Sequence, residues 1–280
     1  MPDTLPSWTP TAPDRARELV GARLELHYAA QFATALGISY LQHEPDDSHT
    51  NLGWDAARNA LMSHAARGVK GYVAVGVQPR GLNVVIVRDG AVVQQIALPG
   101  LTIATVTERI RATLDDEGFD ATRYTLDRHY ELPAHPLANG AAFRADAVAL
   151  DELARWFNNA AIALGRVARE VQGASAVRVW PHHFDIATLV SYGDDKFNGL
   201  GLEPGDGYYA EPYFYVNASP QPRADQATAP LAGGGAWHTN ESIGAVLPGS
   251  RVAGDAAAQQ AQVRAFLDSA LAACRTMVGA

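Results

Sequence analysis

Apolar residues recur every three or four positions in three long segments of the chain, which is the spacing of an amphipathic helix. These segments cover residues 14–41, 148–172 and 255–277. A shorter helix is predicted over residues 105–117. Cys274 lies on the apolar side of the last helix, so we expect it to be a core residue and not a reactive thiol.

Runs of β-branched and aromatic residues between the helices predict strands. The runs at residues 82–87 and 92–98 flank the dipeptide Asp89-Gly90, which is the strongest short-range signal for a hairpin. Other runs that predict strands cover residues 72–77, 123–132, 176–180, 184–192, 208–217 and 236–247. The strands come in batches and do not alternate one to one with helices, which favours an α+β fold over a doubly wound sheet.

The predicted fold is therefore α+β, with antiparallel sheet packed against three long helices in two similarly built halves. Residues 1–13 contain four prolines and are predicted to form a flexible arm. A stretch with Pro and Gly at residues 133–140 is the best candidate for a linker. We expect one half at residues 14–140 and the other at residues 141–280, packed together as one compact unit.

The composition is that of an ordinary globular protein, because 48% of the 280 residues are hydrophobic and 19% are charged. A formal net charge of −8 gives no electrostatic signal for binding nucleic acid or an anionic membrane. The single cysteine excludes an internal disulfide and fits a reducing compartment. We find no secretory leader and no apolar run of the roughly 20 residues that a membrane helix needs. With helices rich in Ala and Arg, these features predict a soluble, cytoplasmic protein of bacterial type.

The common catalytic signatures are missing from the sequence. It has no phosphate-binding GxxxxGK[ST], no Rossmann glycine fingerprint, no GxSxG elbow, no HExxH and no paired CxxC. The usual P-loop, dinucleotide, hydrolase-elbow and thiolate-zinc sites are therefore disfavoured. Candidate chemistry depends instead on polar residues that interrupt aromatic segments.

Three such segments lie in the second half of the chain. The first, residues 180–185, joins two predicted strands, and strand alternation would place His183 and Asp185 on one face. The second is the predicted strand at residues 208–217, where one face carries Tyr209, Glu211, Tyr213 and Tyr215. The third is Trp237-His238-Thr239-Asn240-Glu241, which follows three glycines. A carboxylate within a row of tyrosines needs a partner if it is buried.

A fourth aromatic and polar segment begins at residue 49. If the chain is a strand or a helix from residue 54 to residue 64, Trp54 and Arg58 point the same way in either case. Arg with Trp is a common lining of a site for an anion or an aromatic ligand, and is equally common where side chains pack at the edge of a core. The remaining histidines, His27, His43, His129 and His135, are expected at the surface or beside helices.

The sequence thus predicts one site, in a cleft edged by the Gly- and Pro-rich loops at residues 193–207 and 219–235. Its candidate catalytic residues are Asp185, Glu211, His238 and Glu241. Its candidate ligand-binding residues are Trp54, Arg58, Trp180, His182, His183, Tyr209, Tyr213 and Trp237. We assign no metal or other cofactor to it.

Three hypotheses for function follow from these residues. The leading one is a protein that binds a small molecule, in which a carboxylate and a histidine would form the acid–base pair if the protein is an enzyme. The second is a metal-dependent oxygenase or hydrolase, because His183, Asp185 and His238 have the order of a facial triad. The third is a non-catalytic module whose exposed aromatic strand at residues 208–216 docks a partner.

The order of these segments resembles a bacterial family without an assigned activity, domain of unknown function 5996. Its members have Ser-Phe-Asp-Leu-Ala where this chain has His183-Phe184-Asp185-Ile186-Ala187. They also have an aromatic strand that ends near a proline, comparable to Tyr213-Phe214-Tyr215-Val216-Asn217-Ala218-Ser219-Pro220. Asp185 and Glu241 match carboxylates of the family pattern better than either histidine does. The resemblance implies a grouping, and the small residue at position 183 in the relatives weakens the triad hypothesis.

Overall fold

The computed structural model describes residues 7–280 and has helices and antiparallel sheets, so the predicted α+β class is confirmed. A helix is present at each of the four predicted places: α1 (Val20–Tyr40), α2 (Ile103–Asp116), α3 (Ala147–Glu170) and α4 (Ala256–Met277). The first predicted helix is divided, because Pro13–Leu19 forms a 3-10 helix before α1. Among residues 7–280, no helix is long and apolar enough to cross a membrane.

Within residues 7–280, the strands form two six-stranded antiparallel sheets. The first sheet has the order β1-β2-β4-β5-β6, with β3 also paired to β4, and the second has the order β11-β12-β10-β9-β8-β7. The strands are β1 (Gly53–Asp55), β2 (Ala60–Met62), β3 (Ala66–Arg67), β4 (Tyr72–Gln78), β5 (Asn83–Arg88), β6 (Ala91–Ala97), β7 (Arg178–Val179), β8 (Ile186–Gly193), β9 (Lys196–Glu203), β10 (Tyr213–Ser219), β11 (Ala236–His238) and β12 (Gly244–Pro248).

The hairpin at Asp89-Gly90 is present, and both residues have the positive φ that such a tight turn requires. Two other local predictions are wrong. Residues 123–132 form no strand, and the stretch predicted as a loop at residues 193–207 contains β9. Glycines make β9 a poor strand by propensity, yet the side chains of β10 cover it, as described below.

The chain folds into two compact units. The N-terminal unit consists of residues 21–154 and 179–184, and the C-terminal unit consists of residues 7–20, 155–178 and 185–280. The predicted boundary at residue 140 lies inside the N-terminal unit, and the division falls within α3 instead.

Residues 7–12 are held in the C-terminal unit and are not the predicted flexible arm; residues 1–6 of that arm lie outside the described part of the chain. The side-chain amide of Asn159 accepts from the Thr9 N–H at 3.0 Å and donates to the Thr9 carbonyl at 2.6 Å. The side-chain amide of Gln259 likewise accepts from the Thr11 N–H and donates to the Thr11 carbonyl, both at 2.9 Å. Both amides are buried, so they pair with this extended segment much as a neighbouring strand would.

The core of the C-terminal unit lies between its sheet and its helices. Phe214 of β10 is fully buried and contacts the ring of Trp156 in α3, while α4 packs against β9, β10 and β12. Cys274 of α4 is 1% exposed, and burial raises the pKa of its thiol to about 12, so the prediction of a core cysteine is confirmed. Because side chains alternate along a strand, Tyr213 and Tyr215 lie on the face opposite to Phe214.

Candidate functional site

A turn before β10 organises the polar face of the C-terminal unit. The carboxylate of Asp206 accepts from the backbone N–H groups of Tyr208 and Tyr209, both at 2.8 Å, and its own N–H donates to the Tyr209 carbonyl. Its second oxygen accepts from the Tyr213 hydroxyl at 2.8 Å. Residues 208–212 are therefore not part of the strand, and the predicted common face for Tyr209, Glu211 and Tyr213 is wrong.

Tyr209 and His238 form a hydrogen-bonded pair on this side of the unit. The hydroxyl of Tyr209 lies 3.0 Å from Nδ1 of His238, and Nε2 of His238 lies 2.7 Å from the carbonyl oxygen of Asn240. Since a carbonyl can only accept, Nε2 carries the hydrogen, and Nδ1 of the neutral ring accepts from the tyrosine. The ring of Tyr208 also contacts His238, with centroids 5.2 Å apart. We call Asp206, Tyr208, Tyr209, Tyr213 and His238 the Tyr–His cluster.

The phenols of this cluster are held in their protonated form. Burial, followed by the charge of Asp206, raises the pKa of Tyr209. Burial and the hydrogen bond to Asp206 raise the pKa of Tyr213 far more. Tyr209 and His238 are only half-buried, whereas Tyr213 is 9% exposed. Solvent therefore reaches the pair formed by Tyr209 and His238, and Tyr208 beside it, but hardly reaches Tyr213.

Another tyrosine of β10, Tyr215, is bound to Asp185. The carboxylate of Asp185 accepts from the Tyr215 hydroxyl at 2.5 Å, and burial of that hydroxyl, then the charge of Asp185, raises the pKa of Tyr215 well above its usual value. Tyr215 lies across Gly201 of β9, where an added Cβ would come within 2.6 Å of the tyrosine ring. Glu203, the neighbour of Tyr213 across the sheet, is also buried. Carboxylates thus accompany the tyrosines, as the sequence suggested.

The partners of Glu211 are an arginine and a backbone N–H, not the tyrosines among which the sequence placed it. One oxygen lies 3.2 Å from Nε of Arg17, and the other accepts from the Ser250 N–H at 2.6 Å. The carboxylate is buried but Arg17 is 77% exposed. Glu211 therefore anchors the 3-10 helix Gly249–Arg251 rather than lying among the tyrosine hydroxyls, because it belongs to the bend before β10.

Glu241 and Trp237 lie on either side of His238 in sequence and have separate roles. Glu241 is exposed, has φ +63°, and accepts from the Tyr208 hydroxyl at 3.1 Å. Trp237 donates from its indole nitrogen to the Ala229 carbonyl at 2.8 Å, so it fixes the loop at residues 219–235. Glu241 therefore contacts the Tyr–His cluster, while Trp237 holds a loop.

Trp180, His182 and His183 belong to the N-terminal unit, where residues 181–184 form a turn. The Phe184 N–H donates to the Trp180 carbonyl at 2.6 Å, and Phe184 has φ +74°. Strand alternation therefore fails here, and the predicted shared face of His183 and Asp185 is wrong. His183 is exposed, while His182 is half-buried beside Trp180, and burial lowers the pKa of His182.

His27, which we expected at the surface or beside a helix, lies in α1 and is buried against this turn. It is 4% exposed, its Nε2 lies 2.8 Å from the Pro181 carbonyl, and its ring stacks on Phe184 with centroids 4.6 Å apart. Burial lowers its pKa to about 4. His27 is therefore a neutral core histidine with a backbone partner.

Trp54 and Arg58 lie in a hairpin, so both the strand and the helix predicted for residues 54–64 are wrong. Trp54 is in β1 opposite Leu61, and Arg58 is in the turn that follows. The guanidinium of Arg58 pairs with Asp55 at 2.6 Å and donates to the Gly90 carbonyl at 2.6 Å. These bonds fix the turn, so Arg58 has a structural role.

The structure thus connects three of the predicted site residues, Tyr209, Tyr213 and His238, and adds Glu241 through Tyr208. The convergence of Asp185 and Glu211 with these residues in one cleft stays a prediction. Sequence reasoning missed Asp206, although Asp-Gly before two tyrosines is a turn signal. Within residues 7–280 no group of three or more His, Cys, Asp or Glu side chains is arranged to hold a metal ion.

Comparisons of the chain with family models, with curated proteins and with solved structures found no match in any of the three. The site must therefore be interpreted from its own geometry. This geometry removes the premise of the hypothesis that an exposed aromatic strand docks a partner. β10 lies between β9 and β12, and both Tyr213 and Phe214 are buried, so β10 is not an exposed strand.

Proposed function

We propose that the protein binds a small polar molecule at the Tyr–His cluster and transfers a proton to or from it. The observation that supports this proposal is the pair formed by Tyr209 and His238, in which a phenol donates to an imidazole whose other nitrogen is fixed by a backbone carbonyl. That carbonyl holds the ring in one tautomer and orientation, as general acid–base catalysis requires.

The proton transfer follows from the direction of these hydrogen bonds. The Tyr209 oxygen accepts a hydrogen from the bound molecule while the phenol hydrogen passes to Nδ1 of His238. The bond from hydrogen to the ligand breaks, a new O–H bond forms at Tyr209, and His238 becomes the imidazolium ion. The Nε2–H bond to Asn240 persists throughout, so the ring need not move.

The raised pKa of Tyr209 makes the histidine necessary. A phenol that resists ionisation is a poor base by itself, because its oxygen can take a proton only when its own hydrogen leaves at the same time. Nδ1 of His238, at 3.0 Å, provides the acceptor for that hydrogen. Asp206 contributes by fixing the backbone of the turn that carries Tyr209.

Solvent-exchange NMR tests this function. Small carbonyl compounds with acidic C–H bonds are incubated with the protein in D₂O, and the loss of their C–H signals is followed. We expect the wild-type protein to accelerate exchange in at least one of them, and Tyr209→Phe and His238→Gln to lose that acceleration. Tyr192→Phe, which removes a hydroxyl bonded to Asn198 outside the cluster, is the matched control and should retain it. Equal exchange by the wild-type protein and Tyr209→Phe, or no acceleration of any compound by the wild-type protein, would contradict the proposal.

We also propose that the chain belongs to the family of domain of unknown function 5996. The segment His183-Phe184-Asp185-Ile186-Ala187 supports this grouping, since Asp185 is the residue of that motif with a hydrogen bond to the aromatic strand. The structure of a family member should show its equivalent aspartate accepting from a tyrosine of its own aromatic strand. A solvent-exposed aspartate at that position would contradict the grouping.

A further inference from the structure

Arg251 is attached to the segment that carries Tyr209. It is the last residue of the 3-10 helix Gly249–Arg251. The Ser250 N–H of this helix donates to Glu211 at 2.6 Å, and Glu211 lies in the bend that follows Tyr209. The backbone at Arg251 is therefore held beside the Tyr–His cluster.

The side chain of Arg251 reaches the segment that carries His238. Its Nη1 donates to the Gly234 carbonyl at 3.3 Å, shortly before β11, which ends at His238. Burial and then the charge of Asp206 raise the pKa of Tyr209, and the charge of Arg251 opposes them. Because salt screens exposed charges beyond about 10 Å, the guanidinium and this phenol are neighbours.

The guanidinium of Arg251 has N–H groups available for a ligand. It is exposed, and among residues 7–280 its one hydrogen bond is the 3.3 Å bond to the carbonyl. A guanidinium carries five N–H donors in a planar fork. Other arginines of the C-terminal unit pair with carboxylates, as Arg17 does with Glu211 and Arg264 does with Asp268. Within the described part of the chain, Arg251 has no such partner.

The acids of the same surface favour a ligand with a single negative charge. Asp206 accepts from two backbone N–H groups and a phenol, and Glu241 accepts from Tyr208, so neither offers a donor to a ligand. Their charges would repel a phosphate, which carries nearly two negative charges, more than a carboxylate. The planar fork of a guanidinium also matches the two oxygens of a carboxylate.

We propose that Arg251 binds the carboxylate of the molecule that exchanges a proton at the Tyr–His cluster, and that this molecule is a 2-oxo monocarboxylic acid. The assignment rests on the proposed function and adds the class of its substrate. The C–H bond beside the ketone breaks, its electron pair forms the enolate, and the proton goes to Tyr209 while the phenol hydrogen passes to His238. The ketone separates the carboxylate from this carbon, so the negative charge does not oppose the loss of the proton.

Titration of the wild-type protein with sodium pyruvate, followed by ¹⁵N NMR, tests the binding without relying on turnover. We expect saturable shifts of Arg251 Nε and of His238 Nδ1 with the same millimolar dissociation constant. Pyruvamide, the uncharged analogue, and sodium phosphate should each bind at least tenfold more weakly. The proposal is overturned by the absence of a saturable shift at Arg251, by a shift there without one at His238, or by equal binding of either comparison compound.

Two variants locate the carboxylate. Arg251→Gln removes the charge and should bind pyruvate at least tenfold more weakly. Arg264→Gln removes an exposed, paired arginine of α4 and should bind it as the wild-type protein does. Equal affinity in the wild-type protein and Arg251→Gln would overturn the proposal. The wild-type shifts remain decisive if Arg251→Gln does not fold.

Hydrogen exchange in D₂O separates this inference from the proposed function. Each rate with protein is divided by the rate in buffer alone, because pyruvate and pyruvamide differ in intrinsic acidity. We expect this ratio to be at least tenfold larger for pyruvate, and Arg251→Gln to remove the difference. Equal ratios above one would overturn the inference and leave the proposed function standing. Binding of pyruvate at Arg251 without exchange of any compound would contradict the proposed function, while the carboxylate site would stand.

Discussion

His27 and His238 are both held by a backbone carbonyl at Nε2, yet the two residues differ in everything else. His27 is buried and its ring is stacked on that of Phe184. His238 is half-buried, and its Nδ1 is bound to the Tyr209 hydroxyl. The hydrogen bond from Nε2 to a backbone carbonyl therefore fixes the ring orientation of both residues. Whether the ring can also exchange a proton depends on which group its second nitrogen contacts.

The same contrast separates His27 from two tyrosines of the C-terminal unit. In the N-terminal unit, His27 binds a backbone carbonyl and fixes a turn. In the C-terminal unit, Tyr209 and Tyr215 bind titratable side chains. We infer that a polar group among aromatic residues indicates function mainly when its partner is itself able to gain or lose a proton.

Acidification should produce the largest effect, and it should act through His27. The folded-state pKa of about 4 lies below the ordinary value of 6.5, so the unfolded chain binds the proton more readily. Stability is full above pH 6.5 and falls as the pH decreases towards 4, by about 3 kcal/mol in all. Urea unfolding at pH 7, 6, 5 and 4 measures this loss.

The matched variant for that experiment is His27→Gln, which offers a side-chain N–H for the Pro181 carbonyl but does not titrate. The difference in unfolding free energy between the two proteins should shrink on acidification by about 3 kcal/mol. A difference that is independent of pH would show that His27 is not the buried neutral group described above.

Removing the hydroxyl in Tyr215→Phe should cost about 2 kcal/mol, because this hydroxyl donates to a buried carboxylate. Tyr192→Phe is the control, since the Tyr192 hydroxyl donates to the neutral amide of Asn198 at 2.7 Å in the same sheet. That variant should lose about 1 kcal/mol. Chemical denaturation at pH 7 measures both. An equal or smaller loss in Tyr215→Phe would contradict a charged partner at Asp185.

Glu211→Gln should cost about 1 kcal/mol, because the amide oxygen can still accept one of the two hydrogen bonds and the lost charge faces an exposed Arg17. Thermal unfolding measures this loss. The ¹⁵N chemical shift of Nδ1 of His238 should not change in this variant. A changed chemical shift would restore Glu211 to the Tyr–His cluster.

Tyr209→Phe should have the smallest effect on stability, within about 0.5 kcal/mol, since the hydroxyl is partly exposed. It should nevertheless change the ¹⁵N chemical shift of Nδ1 of His238, because it removes the hydrogen-bond donor to that atom. Tyr208→Phe keeps that bond and should change the chemical shift less. The reverse order of the two changes would remove Tyr209 from the proposed proton transfer.

The sequence predicted the parts of the fold that depend on neighbouring residues. The four helices follow from apolar spacing, and the hairpin at Asp89-Gly90 follows from turn chemistry. The sequence-based prediction was wrong at β9, which we expected to be a loop. Gly199 and Gly201 remove the usual strand signal there, and the stabilising contacts come from β10. Tertiary packing outweighed local propensity there.

Partners distant in sequence explain the errors in the site. His27 lies 154 residues from Pro181, and Glu211 lies 194 residues from Arg17, so no local pattern could reveal either pairing. Tyr209 was selected as a site residue because it belongs to the tyrosine row, and His238 because it lies in the aromatic and polar segment after three glycines. That they bind each other depends on the Asp206 turn and the hairpin of β11 and β12, which only the fold brings together.

The packing of Tyr215 on Gly201 has a consequence for how such sequences diverge. Any side chain at position 201 would collide with a ring whose hydroxyl is tied to Asp185, so the ring cannot turn aside without breaking that bond. We therefore expect positions 185, 201 and 215 to change together during evolution. A relative that loses the glycine should also lose the tyrosine and the aspartate, whereas one that keeps any two of the three should keep the third.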